Sequence, residues 1–327
     1  MAWLSGWRYR RKITISGSSG AGTNYQVLLK VGESSGATGC YFHLDGKSAN
    51  FPSGKNQGGD LRFTADDGIT LLSFWVEDVA GTSPNRIAYI WVKVLASLDS
   101  AESIYCYFGN PNASNGSDGA NTFLFFDDFE GTVIDPNKWT ILAGGWGVSD
   151  GVLSVTTLDP NEGAQIVSVS SFSDCALRAK GKITSSSTYL DTMVRNQGNV
   201  SNLYLHQVRE ITEAPEGLWK RVAGTWTQLA SVTLGIGLDT WHIFEFRAFG
   251  SSLAGYVDDS LHASATDTTF SQCRIGFRQG TVGPGTGPAI SFDWSLVRKY
   301  VSPEPAFSSA SGIQVLPSSR RLFLMPI

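Results

Sequence analysis

The chain has 327 residues, 42% hydrophobic and 17% charged, and a formal net charge of −4. That balance excludes a disordered chain, which needs low hydrophobicity and high net charge, and the length predicts two domains. With no basic run longer than Arg10-Arg11-Lys12 and no apolar stretch near the ~20 residues that span a bilayer, neither nucleic acid nor membrane insertion is expected.

The 36 Gly and the 12% aromatic content, among many Ser, Thr and Asn, favour short strands and tight turns over helices. The first predicted strand is Trp7–Ile15, where aromatic and aliphatic residues alternate with cationic ones, the period of a strand with one buried face. The start Met-Ala-Trp-Leu-Ser-Gly-Trp-Arg lacks the apolar core of a secretory leader, so none is expected. Strands follow over Tyr25–Val31, Asp60–Thr64, Leu71–Glu77, Ile87–Val94 and Ser103–Gly109. Asp66-Asp67-Gly68 reads as a hairpin turn, because Asp and Gly tolerate the positive φ a tight turn demands.

From Gly109 to Asn121 the chain is almost all Gly, Asn, Ser, Asp and Pro, with no apolar period, which places a domain boundary there. The predicted domains are therefore 1–120 and 121–302, each a β-sandwich. The second series of strands includes Phe123–Phe129, Gly151–Val155, Ala176–Lys180, Tyr189–Arg195, Leu203–Val208 and Trp241–Arg247, at the spacing of a sandwich. Residues 303–327 read as a Pro- and Ser-rich linker and an apolar assembly tail, with Leu322, Phe323, Leu324, Met325 and Ile327 as its contact residues. Two fates are open to this tail: packing on its own first domain, or addition to a sheet edge of a neighbouring copy. Cys40 with Cys106 and Cys175 with Cys273 allow one disulfide per domain, and four buried thiols fit the spacing as well.

The ordered motifs Trp7–Ile15, Asp60–Thr64, Leu72 with Phe74–Glu77, Ile90–Lys93 and Tyr105 with Tyr107–Asn110 resemble a prokaryotic domain of unknown function. That family occurs in large surface proteins, often directly before a concanavalin A-like sandwich, and the resemblance covers most of residues 3–120. The second half is similar to that lectin and glucanase sandwich, with its jelly-roll topology, through Phe126–Glu130, Lys138-Trp139, Val148–Leu153, the hairpin Leu218–Trp226, Tyr256–Asp259 and Phe292–Trp294. Such sandwiches bind glycans, hydrolyse them or act as spacers, so the resemblance implies a fold more than a function.

The chemistry-bearing residues narrow the choice. The glucanases of this fold share a Glu-x-Asp-x-x-Glu strand, which is absent. Glu210, Glu213 and Glu216 read as a solvated acidic loop, and Asp127-Asp128 and Asp258-Asp259 as adjacent pairs whose members point to opposite strand faces. The four histidines have no nucleophile motif to serve. No catalytic residue is expected. Calcium suits Asp127, Asp128 and Asp293 if the first and last strands of the sandwich lie side by side; the competing account is turn capping and pairing with Arg298 and Lys299. A saccharide would stack on aromatic faces, for which Tyr189, Tyr204, His206, Trp219 and Trp226 are the candidates, against core packing for each. Trp139, Trp241 and Trp294 read as core.

The expectation is a non-catalytic structural or adhesive protein of an exposed assembly: a virion fibre, spike or capsid decoration carrying a lectin-like, glycan-binding domain. Its expected partners are other copies of itself, neighbouring assembly subunits and surface glycans. The alternatives are a secreted or cell-surface glycan-binding or filament subunit and, further off, a polysaccharide-degrading hydrolase.

Overall fold

The computed structural model describes residues 2–186, 188–210, 215–281 and 287–316. The chain divides into two compact units, residues 1–122 joined by those from 303 onward, and residues 123–302. Among the described residues the only helix is one turn, α1 (Gly119–Thr122), so the molecule is all-β, as its turn-rich composition predicts. Among the described residues no helix is long and apolar enough to cross a membrane.

The first unit holds β1 (Tyr9–Ile15), β2 (Tyr25–Gly32), β3 (Phe42–His43), β4 (Arg62–Ala65), β5 (Leu71–Leu72), β6 (Phe74–Ala80), β7 (Ile87–Val94) and β8 (Glu102–Phe108). They form two sheets, one ordered β3-β2-β7-β6 and the other built on β1-β8-β4-β5. The turn at Asp66–Gly68 joins β4 to β5; Gly68 takes a φ of 80° and the Asp67 carboxylate accepts the Ile69 and Thr70 main-chain N–H at 2.9 Å. Ile13 and Ile15 face the core. Arg10, whose period marks it for the other face, is nonetheless buried: its guanidinium lies 4.1 Å from the Tyr105 ring and 4.3 Å from the Trp3 ring, and donates to the Tyr107 hydroxyl at 2.7 Å. Aromatic faces here replace the water that a cation normally keeps.

The second unit is a sandwich of fifteen strands: β9 (Phe125–Asp127), β10 (Trp139–Ala143), β11 (Gly145–Ser149), β12 (Val152–Thr157), β13 (Ala164–Ser168), β14 (Cys175–Ile183), β15 (Thr188–Asn196), β16 (Leu203–Arg209), β17 (Glu216–Val222), β18 (Thr225–Val232), β19 (His242–Phe249), β20 (Ser252–Val257), β21 (Ser260–Thr266), β22 (Arg274–Thr281) and β23 (Ile290–Lys299). One sheet has seven strands in the order β10-β13-β22-β15-β16-β17-β18; the other has eight, β11-β12-β23-β14-β19-β20-β21 with β9 on β23. All pairings are antiparallel, and the inward residues of both sheets, among them Leu177, Leu190, Val208, Leu218, Phe244, Phe246, Phe277 and Phe292, make one core.

Residues 303–316 are not the linker that their Pro and Ser content suggests. β24 (Phe307–Ala310) and β25 (Gln314–Val315) pair antiparallel with β1, Ile13 opposite Ala310 and Tyr9 opposite Val315. The open edge of β1 offers main-chain donors and acceptors, and this segment of the same chain satisfies them. Leu322, Phe323, Leu324, Met325 and Ile327 lie outside the described residues. The four cysteines are free thiols, the second of the two alternatives, with Cys106 and Cys175 buried and Cys40 and Cys273 half-buried; burial pushes the Cys175 thiol up to about 12.

Candidate functional site

The site rests on strand register. Along β16, Tyr204, His206 and Val208 point inward, so Leu203, Leu205, Gln207 and Arg209 point out; along β15 Tyr189, Asp191 and Met193 share that outer face. Cross-strand pairing then assembles a polar row across the sheet: Gln165 on β13 is opposite Arg278 on β22, Arg278 opposite Asp191, and Asp191 opposite Gln207. On one side of this row Gly280 and Arg209 flank Tyr189; on the other, Met193, Leu205 and Trp219 continue across β15 to β17.

The hairpin of β17 and β18 supplies the aromatic wall. Its loop is the two residues Ala223 and Gly224, with φ of 47° and 85°, the double positive φ of a type I′ turn. Arg221 stands opposite Trp226, and its guanidinium sits 4.9 Å from the Trp226 ring while pairing with Glu162. Trp219 and Trp226 pack on a small outer cluster of Val167, Met193, Leu203 and Leu205. A cleft of about 280 Å³ results, lined by Tyr189, Gln207, Pro215, Trp219, Trp226 and Arg278. Its volume is at the lower end of the ~300–1,000 Å³ of small-molecule sites.

Two features of the floor are chemical. Arg278 donates to Asp191 at 2.7 Å, and Asp191 is fully buried, which raises its carboxyl against the lowering pull of Arg278. Around this pair Arg278 Nε, Gln165 Oε1 and the Trp219 indole N–H are buried without a hydrogen-bond partner among the described residues. Buried polar atoms are normally satisfied, so unsatisfied ones converging on one cleft mark a place where a ligand completes the network. Gly280 keeps the floor flat: a Cβ there would lie 2.6 Å from Arg278 Nη1 and 2.8 Å from the Tyr189 ring.

Three of the five aromatic candidates, Tyr189, Trp219 and Trp226, therefore meet at the cleft, and two do not. Tyr204 is in the core, its hydroxyl donating to Asp267 at 2.5 Å. His206 is also fully buried, with Nε2 2.8 Å from His262 Nδ1. His262 is the extra residue of a β-bulge between β20 and β21, which turns its ring inward, and its Nε2 lies 3.7 Å from Glu216 Oε2. Glu216 is thus no solvated loop acid: it is fully buried and accepts the main-chain N–H of Arg209, Leu234 and Gly235 at 3.0–3.1 Å. Glu213 lies outside the described residues. Burial lowers His206 well below the usual imidazole range and His262 to about 4, and raises the Glu216 carboxyl.

A second cavity of about 530 Å³ opens between the end of β18 and the β20–β21 hairpin, where His242 Nδ1 is 2.7 Å from Asp258 Oδ2. Asp258 and Asp259 do not alternate on a strand as expected; with φ of 48° and 62° they are the two-residue turn between β20 and β21. The first and last strands of the second unit, β9 and β23, do lie side by side, as the calcium reading requires. Asp127 is opposite Ser295, accepts from the Trp139 indole at 2.7 Å and pairs with Lys138 at 3.3 Å, while Asp293 pairs with Lys180 at 3.3 Å. Asp128 follows the end of β9. No group of three metal-ligating side chains occurs among the described residues. Trp139 and Trp294 are core, but Trp241 is only half-buried, under Lys182 at 5.1 Å.

Arg278, Asp191, Gln207, Gln165 and Arg209 escape sequence reasoning, since none lies in a motif. Their common signal is register: Asp191 is two residues from the outward Tyr189, Arg209 lies opposite Tyr189, Gln207 and Arg278 lie opposite Asp191, and Gln165 lies opposite Arg278.

Residues 57–142 match the family model of a domain of unknown function, DUF2341. This match begins inside the first unit and runs past Thr122, whereas the motif resemblance covers residues 3–120. No curated protein matches the chain. Among solved structures, the carbohydrate-binding module CBM66 from Bacillus subtilis is 20% identical, over 51% of this chain and 96% of its own, with a TM-score of 0.38. A β-glucanase from Bacillus licheniformis is 14% identical over 54% of this chain and 98% of its own, with a TM-score of 0.41. A glycosyl hydrolase family 16 protein from Mycobacterium smegmatis is 13% identical over 54% and 99%, with a TM-score of 0.40.

Proposed function

We propose that the second unit binds a saccharide in the cleft of the seven-stranded sheet without cleaving it. The observation that carries this reading is the junction of an aromatic wall, Tyr189, Trp219 and Trp226, with a polar floor in which Arg278 Nε and Gln165 Oε1 lack partners among the described residues. A pyranose presents an apolar C–H face to stack on an indole and a rim of hydroxyls to bridge guanidinium, carboxylate and amide groups. Hydrolysis needs two carboxyl groups about 5–9.5 Å apart across the scissile bond. Among the described residues none of the six that line the cleft is an acid; Asp191 is committed to Arg278 beneath the surface, and Glu162 to Arg221. That arrangement favours retention of the glycan over its hydrolysis.

Binding to a glycan array and calorimetric titration with the strongest hit test the reading. Trp219→Ala should cost about 2 kcal/mol, roughly thirtyfold in affinity, as expected for an aromatic anchor. Tyr204→Phe, on the inner face, should leave affinity unchanged. An array without a single retained saccharide, or release of reducing ends from a bound one, sinks the proposal. We place the protein on an exposed assembly, virion or cell surface, on the motif resemblance of residues 3–120. Immuno-electron microscopy of the native source that finds it only as a free monomer removes that placement.

A further inference from the structure

The cleft has a charge that its own residues do not balance. The second unit buries four arginines: Arg178, Arg195, Arg209 and Arg298. Three have carboxylate partners, Arg178 on Glu245 and Asp259, Arg195 on Asp174, and Arg298 on Glu245. Around the cleft, Arg278 has Asp191 and Arg221 has Glu162. Arg209 stands apart. It is 3% exposed, its Nε is buried without a partner, and no carboxylate among the described residues pairs with it. Its guanidinium lies 4.3 Å from the ring of Tyr189, a wall of the cleft. Glu216 feels this charge, but it points to the opposite side of the sheet and its oxygens are occupied by main-chain N–H groups.

Buried cations are paired because desolvating one without an anion is costly, and a stacked aromatic ring compensates only in part. The chain as a whole is acidic, so this positive charge is a local feature and no part of a general basic surface. We infer that the saccharide is anionic, and that Arg209 receives its carboxylate or sulfate at the Tyr189 end of the cleft. The planar guanidinium suits both groups, since each offers two oxygens to parallel N–H donors. Asp191 and Arg278 cancel one another and serve the hydroxyls, which leaves Arg209 as the residue that selects for charge. This inference rests on the cleft being a saccharide site.

Calorimetric titration of the full chain with oligogalacturonate, a sulfated oligosaccharide and a neutral β-glucan oligosaccharide separates the two claims. Acidic ligands should bind more tightly than the neutral one and weaken as salt is raised, and the better of the two identifies the anionic group. Arg209→Gln should lower acidic affinity about 10- to 100-fold and leave the neutral ligand unaffected, with Arg209→Lys between the two. Equal binding of neutral and acidic ligands, salt-independent binding by the unaltered protein, or an Arg209→Gln variant with undiminished affinity overturns the inference while the cleft stands. Failure of all three ligands and of a wider array removes the cleft reading itself.

Discussion

Lowering the pH should loosen the second unit through the buried His206–His262 pair before exposed carboxylates titrate. In the unfolded chain both rings take a proton near 6.5, whereas folded His262 does so only near 4 and burial holds His206 well below the usual imidazole range. Between those values the unfolded chain binds more protons, so stability falls as pH falls. At ~1.4 kcal/mol for each tenfold, His262 alone could contribute about 3 kcal/mol, and the water that reaches the adjoining cavity reduces this to about 2 kcal/mol. Glu216 acts in the opposite sense. Its raised carboxyl accepts a proton at higher pH in the folded chain, so its contribution grows as pH falls and is lost as pH rises through its folded pKa. The imidazole effect involves two rings against one carboxyl and should dominate. Melting followed by tryptophan fluorescence should show a midpoint lower by roughly 4–8 °C at pH 5 than at pH 7. His262→Gln keeps a donor and an acceptor but cannot take up the proton, so its midpoint should move less over that interval, His206 alone still responding. Equal pH slopes for the variant and the unaltered chain would refute the assignment to this pair.

Two further perturbations probe the same sheets. Gly255→Ala should destabilise by about 1–3 kcal/mol in urea denaturation, because the new Cβ would sit 2.4 Å from the His206 ring, whose Nε2 is hydrogen-bonded to His262; an unchanged midpoint would show that the ring can move aside. Asp191→Ala should cost about 3–5 kcal/mol by leaving Arg278 without its partner, and replacing both residues, Asp191→Leu with Arg278→Met, should recover most of that loss. A double replacement as damaging as the single one would mean that packing, not charge, holds this floor.

These perturbations act on contacts that residue type alone does not disclose. Period-two alternation announces that Tyr189–Arg195 and Leu203–Val208 are strands, yet it says nothing of which parity faces the core. That choice is made by β15 pairing with both β16 and β22, which sets Leu190, Phe277 and Val208 on one side and Tyr189, Arg278 and Gln207 on the other. Once it is made, Tyr204 and His206 are core and Tyr189 is not, although all three look alike as aromatics on strands. Glu216 eludes sequence reasoning for a related reason: Pro215 and the nearby acids suggest a wet loop, but Glu216 begins β17 with the inward parity of Leu218, and the burial of Leu218 takes the carboxyl inside. Bulges defeat alternation outright, as at His262, where one added residue turns a polar ring inward.

A sandwich has only two kinds of face, and the inner ones are filled by apolar side chains, so any chemistry must occupy an outer face or break the inner pattern. This chain does both. On the inside His206 and His262 are hydrogen-bonded to each other and Glu216 accepts main-chain N–H groups, while His206 Nδ1 and His262 Nε2 lack hydrogen-bond partners among the described residues, and the two rings make the core sensitive to acid. On the outside the row from Gln165 to Gln207 is only partly satisfied, and it lies beside aromatic rings that a saccharide could cover. Both rows carry buried polar atoms without partners, and what sets the outer one apart is that Tyr189, Trp219 and Trp226 stand beside it in one cleft, which is why the proposed binding site is assigned there.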